Sequence, residues 1–139
     1  SKNFPAFIEK KVKLGIRLGL SREEAEKLVK RYGSNIDQVF EYSPLFKKES
    51  ELTLYVFLQL VYAIKNELAT KPIDFFFRRT GALLFDIHWT QQWKEKVIQF
   101  MCAVLDWNEE QKRLYKNELE EHLRGAHTAV DEGRKEKVS

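Results

Sequence analysis

The chain has 139 residues, 43% of them hydrophobic, enough for a compact core. Its 24 basic and 21 acidic residues are interspersed, with a net charge of +3. That argues for a solvated, salt-bridged surface and against a nucleic-acid binder, which concentrates its basic residues on one stripe. Six Gly and three Pro, beside ten Phe, five Tyr and three Trp, favour helices over many short strands. Cys102 is the only cysteine, so no internal disulfide forms, and a reducing, cytoplasmic compartment is expected. Ser1 rather than Met opens the chain, as expected of a piece of a longer protein, and no signal peptide is visible.

In chain order, Asn3-Phe4-Pro5 reads as a helix start. Phe4, Phe7, Ile8, Val12 and Leu14 supply its apolar period, and Gly15 and Gly19 loosen its end. Ser21-Arg22-Glu23-Glu24 is a capping box. Ala25, Leu28, Val29 and Tyr32 then form one face, and Gly33 supplies a left-handed cap. Asn35 is placed to cap a short helix from Ile36 to about Tyr42, which Ser43-Pro44 stops. Residues 52–69 are the most apolar segment. Leu52 to Phe57 has strand propensity, but the later spacing is helical, so the segment is expected to be mainly helical and central. Its longest apolar stretch, Leu52 to Ile64 interrupted by Gln59, falls short of the roughly 20 residues that span a bilayer.

Thr70-Lys71-Pro72 begins another helix with Asp74 in its first turn, and Gly81 ends or bends it. Thr90 starts a helix running to about Leu105, with Trp93, Val97, Phe100, Met101, Val104 and Leu105 facing inward. Asn108 to Gln111 is a second capping box. It opens a long amphipathic helix carrying Leu114, Leu119, Leu123, Ala126 and Val130. The reading is all-α: a single compact, bundle-like domain of six or seven helices over residues 1–132, followed by a charged tail over 133–139 expected to fray.

The sequence lacks a G-x-G-x-x-G fingerprint, a P-loop, H-E-x-x-H, C-x-x-C and G-x-S-x-G. Glu118 and His122, four apart on the last helix, have metal-ligand spacing, but two ligands without a third favour an exposed ion pair. Cys102, between Met101 and Ala103, reads as a small buried residue rather than a nucleophile. His88 reads as a packed or capping residue. Arg78-Arg79, after three Phe residues, implies a structural salt bridge to Glu67 or Asp74, with a phosphate or partner-domain contact as the alternative. Lys10-Lys11-Lys13 and Lys47-Lys48 read as solvated faces.

Four stretches carry a family resemblance in the right order. They are Leu20-Ser21 with Glu24-Ala25 and Tyr32-Gly33-Ser34-Asn35; Tyr62-Ala63-Ile64 with Glu67-Leu68-Ala69; Asp74-Phe75-Phe76 with Arg78-Arg79-Thr80; and Asp106-Trp107 before an acidic helix start. Over roughly residues 8–130 the chain resembles the C-terminal domain of FAD-dependent glycerol-3-phosphate dehydrogenases, with Asp106 where that family has Gly. The resemblance implies a parent that oxidises sn-glycerol 3-phosphate to dihydroxyacetone phosphate, with electrons passing through FAD to quinone or oxygen. It implies that the FAD fold and substrate groups lie upstream, so no catalytic, cofactor-binding or metal residue is assigned here. Glu67, Asp74, Arg78, Arg79 and Thr80 carry over as domain-signature or docking positions. The implied partner is the upstream FAD-binding domain of the same chain, with homo-oligomerisation and attachment of the parent to the cytoplasmic face of a membrane left open. The competing readings are a free-standing helical interaction module and a basic nucleic-acid binder. The ordered matches favour the flavoenzyme domain.

Overall fold

Apolar residues at three- and four-residue steps fold, among the described residues, into six α-helices and no strand. The computed structural model describes the backbone of residues 5–78 and 86–138, and the side chains of 5–77 and 86–126. The chain is all-α, and it divides into two compact units, Ser1–Glu67 and Leu68–Ser139.

In the first unit, α1 (Ala6–Leu18) follows Pro5 and ends at Gly19, whose φ of 118° lets the chain close back on the last turn. Helix α2 (Arg22–Tyr32) starts with the expected capping box: the Glu24 N–H donates to Ser21 Oγ, and the Ser21 N–H to Glu24 Oε1, both at 3.0 Å. A 3-10 turn, Gly33–Asn35, leads into α3 (Ile36–Phe40), which is shorter than expected. Asn35 makes no side-chain cap: it sits in the 3-10 turn at φ −89° and ψ 1°, not in the extended conformation of a capping residue. A second 3-10 turn, Ser43–Leu45, holds Pro44.

Helix α4 (Leu54–Asn66) is helical from its first residue despite the β-propensity of its start. Thr53 caps it, accepting from the Val56 N–H at 3.3 Å. Residues 56–63 are all buried, so α4 is the central element of this unit. Its one buried amide, Gln59, donates to the Tyr55 carbonyl at 3.0 Å.

Two sequence expectations change here. Gly15 does not loosen α1; it is buried where a Cβ would stand 3.0 Å from both Ala25 Cβ and Phe40 Cζ, so it lets α1 and α2 approach closely. Phe7 is 55% exposed, not inward-facing. Five residues separate it from buried Val12, which turns it about 140° off that face.

In the second unit, α5 (Ile87–Leu105) begins three residues before Thr90. Asp86 is the cap, accepting from the Trp89 N–H at 3.0 Å, while Thr90 donates from inside the helix to the Asp86 carbonyl. Trp93, Val97, Ile98 and Met101 are buried as a stripe, but Val104 is 53% exposed. Apolar spacing records which face points inward, not how far the core extends along it.

The Asn108 capping box with Gln111 is present, with bonds of 2.8 and 3.0 Å, and opens α6 (Glu109–Val138). Leu119 and Leu123 are buried while Leu114 is exposed, because a step of five places Leu114 about 140° from Leu119.

Asp106, between α5 and α6, sits at φ 56° and ψ 49°, the left-handed region that favours glycine. Glycine, which the resemblance implies at this position, adopts that conformation without steric cost. Asp106→Gly is expected to raise stability by roughly 0.5–1 kcal/mol through relief of that conformation. Urea unfolding reads this, and an unchanged or lowered midpoint would contradict it.

Candidate functional site

The Asp74-Phe75-Phe76 signature is the element to build from. Its segment was expected to form a helix, and it is helical from Pro72, with a π-helical turn over Asp74–Arg78, where the described residues break off. The N–H groups of Asp74 and Phe75 both donate to the Lys71 carbonyl, at 3.0 and 3.4 Å. Asp74 turns its carboxylate back on the chain, where Oδ2 accepts from the Thr70 N–H at 3.1 Å and the Thr70 hydroxyl at 3.4 Å. The turn is therefore closed at its start by the acid the sequence singled out. One-turn π-helical insertions occur often at functional positions.

This turn places Phe75 and Phe76 side by side in the core, 0% and 1% exposed. Their rings meet edge-on at 5.0 Å, and both approach Trp89, at 6.1 and 5.9 Å. Such aromatic packing adds to area burial. Phe77 leaves the cluster and meets the His122 ring of α6 at 5.4 Å. Lys71, just before the turn, lies 3.9 Å from Glu118 Oε2 and 5.7 Å from the Tyr115 ring centre. The turn is thus fastened to both α5 and α6.

Of the remaining signature positions, Glu67 is the exposed C-cap of α4 and has no ion pair among the described residues. Its charge helps hold the Tyr62 hydroxyl above the usual tyrosine range, behind the larger effect of burial. Arg78 closes the π turn, but its side chain lies outside the described residues, as do Arg79 and Thr80 entirely. The proposed salt bridge of the two arginines therefore also lies outside them.

The other chemical candidates resolve into structural roles. His122 Nδ1 lies 3.0 Å from the backbone carbonyl of Glu118, not from its carboxylate, so the two side chains form no ion pair and no metal ligand set. No group of three or more metal-ligating side chains occurs among the described residues. Cys102 is half-buried rather than fully buried, and its thiol donates weakly to the Trp107 carbonyl at 3.6 Å. His88 stands exposed in the first turn of α5. Among the described residues no helix is long and apolar enough to cross a membrane. The Asp86 cap was missed in the sequence, although an Asp three residues before Trp89 is itself a cap signal.

Comparison with known proteins matches residues 4–112 to the family described as the C-terminal domain of alpha-glycerophosphate oxidase. The aerobic glycerol-3-phosphate dehydrogenase of Bacillus subtilis (strain 168) is 39% identical over 129 residues, covering 91% of this chain and 23% of the relative. That of Staphylococcus epidermidis is 38% identical over 133 residues, covering 95% and 24%. The solved glycerol-3-phosphate dehydrogenase of Bacillus halodurans, complexed with FAD, superposes with a TM-score of 0.80 at 40% identity, covering 88% of this chain and 25% of that one. The chain spans about a quarter of the length of the relatives it matches.

Proposed function

The chain belongs to the family of alpha-glycerophosphate oxidase C-terminal domains, and from that premise we propose that it is the non-catalytic helical C-terminal domain of a flavoprotein that oxidises sn-glycerol 3-phosphate to dihydroxyacetone phosphate. The observation that carries this reading is coverage. The likeness runs through 88–95% of the chain yet only about a quarter of each relative. The family match also runs across the boundary between the two units, which supports treating residues 1–132 as one domain with a charged tail over 133–139.

FAD in the parent supplies hydride acceptance, and the chain's own residues do something else. The sequence has no Gly-rich strand–turn–helix cradle for a dinucleotide, so the cofactor is assigned to the preceding domain of the same polypeptide. This chain contributes a folded helical body. Asp74 fixes the signature turn, and Glu67, Arg78, Arg79 and Thr80 are proposed as the positions that set internal geometry or docking to the flavin domain. The parent is placed in the cytoplasm, with quinone or oxygen as electron acceptor. Attachment to the cytoplasmic membrane face and assembly into homo-oligomers are proposed with it.

The test is to produce the full-length protein and add sn-glycerol 3-phosphate with oxygen excluded. The visible flavin absorbance is expected to fall as the cofactor is reduced. An unchanged spectrum, or a protein without flavin, would overturn the reading.

A further inference from the structure

We infer that the outward face of α1 is the surface on which the preceding domain of the parent docks, through an acidic and partly apolar patch of that domain. This rests on the functional reading above and names the contact it leaves open.

Phe7, Lys10, Lys13 and Arg17 follow one another at steps of three, three and four, so they line one stripe of α1. All four are exposed, and exposed Ile16 borders the stripe. The opposite side of the helix is committed to the core by Val12 and Gly15. No ion pair within 4 Å joins Lys10, Lys13 or Arg17 to any carboxylate among the described residues. Their neighbours are satisfied: Lys11 pairs with Asp37 at 2.8 Å, and Glu9 is held by Arg22 at 2.9 Å. The Arg22 hydrogen bond is the largest influence keeping the Glu9 carboxyl, the one acid on α1, below the usual carboxylate range, and Lys13 adds a smaller attraction without forming an ion pair.

Three like charges at helical spacing repel one another and weaken the helix that carries them. An acidic partner face removes that cost, and Phe7 offers it an apolar anchor. The occupant follows from covalent continuity. The family match begins at residue 4, and α1 begins at Ala6. The relatives carry about three quarters of their length outside the region matched by this C-terminal domain. In the proposed parent, the polypeptide that precedes α1 is held at an effective concentration on the order of millimolar beside this stripe, far above any free partner.

The experiment is lysine acylation of the full-length protein, free of lipid, read residue by residue by mass spectrometry. Lys10 and Lys13 are expected to react about tenfold slower than exposed Lys27 and Lys48, since reagent reaches them only when the docked face opens. Arg17→Glu is expected to bring Lys10 and Lys13 towards the rate of Lys48. Equal rates in the unaltered protein would overturn the inference. Protection that appears only with phosphatidylglycerol vesicles would assign the stripe to lipid, and protection lost on dilution would assign it to a second copy, either of which also overturns it. Flavin content, measured on the same sample, tests the functional reading separately.

Discussion

Phe75→Ala is expected to destabilise the second unit by about 3–5 kcal/mol, the range for removing a fully enclosed aromatic ring from a core. Phe75 is 0% exposed and touches two further rings, Phe76 and Trp89, so no collapse of flexible side chains fills the space it leaves. Against a typical domain stability of about 5–15 kcal/mol, that loss approaches unfolding. The π turn concentrates this effect, because it plants two successive aromatic residues in one core while Asp74 closes its start. Urea unfolding followed by circular dichroism reads it as a lowered midpoint. Phe75→Leu, which keeps most of the apolar volume, is expected to lose much less. A loss below about 1 kcal/mol for Phe75→Ala would show that the turn does not anchor the unit.

In the first unit the largest effect is expected from adding atoms. Gly15→Val is expected to cost about 2–3 kcal/mol through overpacking. Even the first added carbon would sit 3.0 Å from Ala25 Cβ, which is fixed to the α2 backbone and yields only if the helices part. Gly15→Ala is expected to cost less, since alanine's helix preference of about 0.5–1 kcal/mol offsets part of the clash. Ala25→Gly in the Gly15→Ala background is expected to restore stability beyond the sum of the two single changes, because it removes the obstructing atom that is fixed to the backbone, leaving only the side-chain end of Phe40 to yield. An additive result would locate the cost elsewhere.

These two sites show where sequence reading succeeds and where it stops. The capping boxes of Ser21 and Asn108 were legible because each is a closed local pattern of two side chains and two backbone groups. Helix α4 was legible through its later spacing, although strand propensity at Leu52 to Phe57 hid the Thr53 cap. Gly15 was misread because its neighbours, Ala25 and Phe40, are distant in sequence, and a glycine that permits close packing looks locally like one that weakens a helix. Phe7 and Leu114 were counted into the apolar patterns of their helices, yet a step of five to the next buried residue turns each outward.

Asp106 shows the reverse case. A departure from the family's glycine was visible, but its meaning came only with the left-handed backbone. Of the candidate site, the position of Asp74 in its first turn was legible. The π turn was not, since one added residue per turn leaves no mark on composition.

The proposed role makes this chain a helical body, with the redox site in the preceding domain of the parent. The most direct test holds the isolated chain in solution with FAD and follows circular dichroism and flavin fluorescence together. The expected result is a strongly helical spectrum with flavin fluorescence unchanged across the titration. Saturable quenching of that fluorescence would place a cofactor site within these residues, and a spectrum without helix would contradict the fold itself.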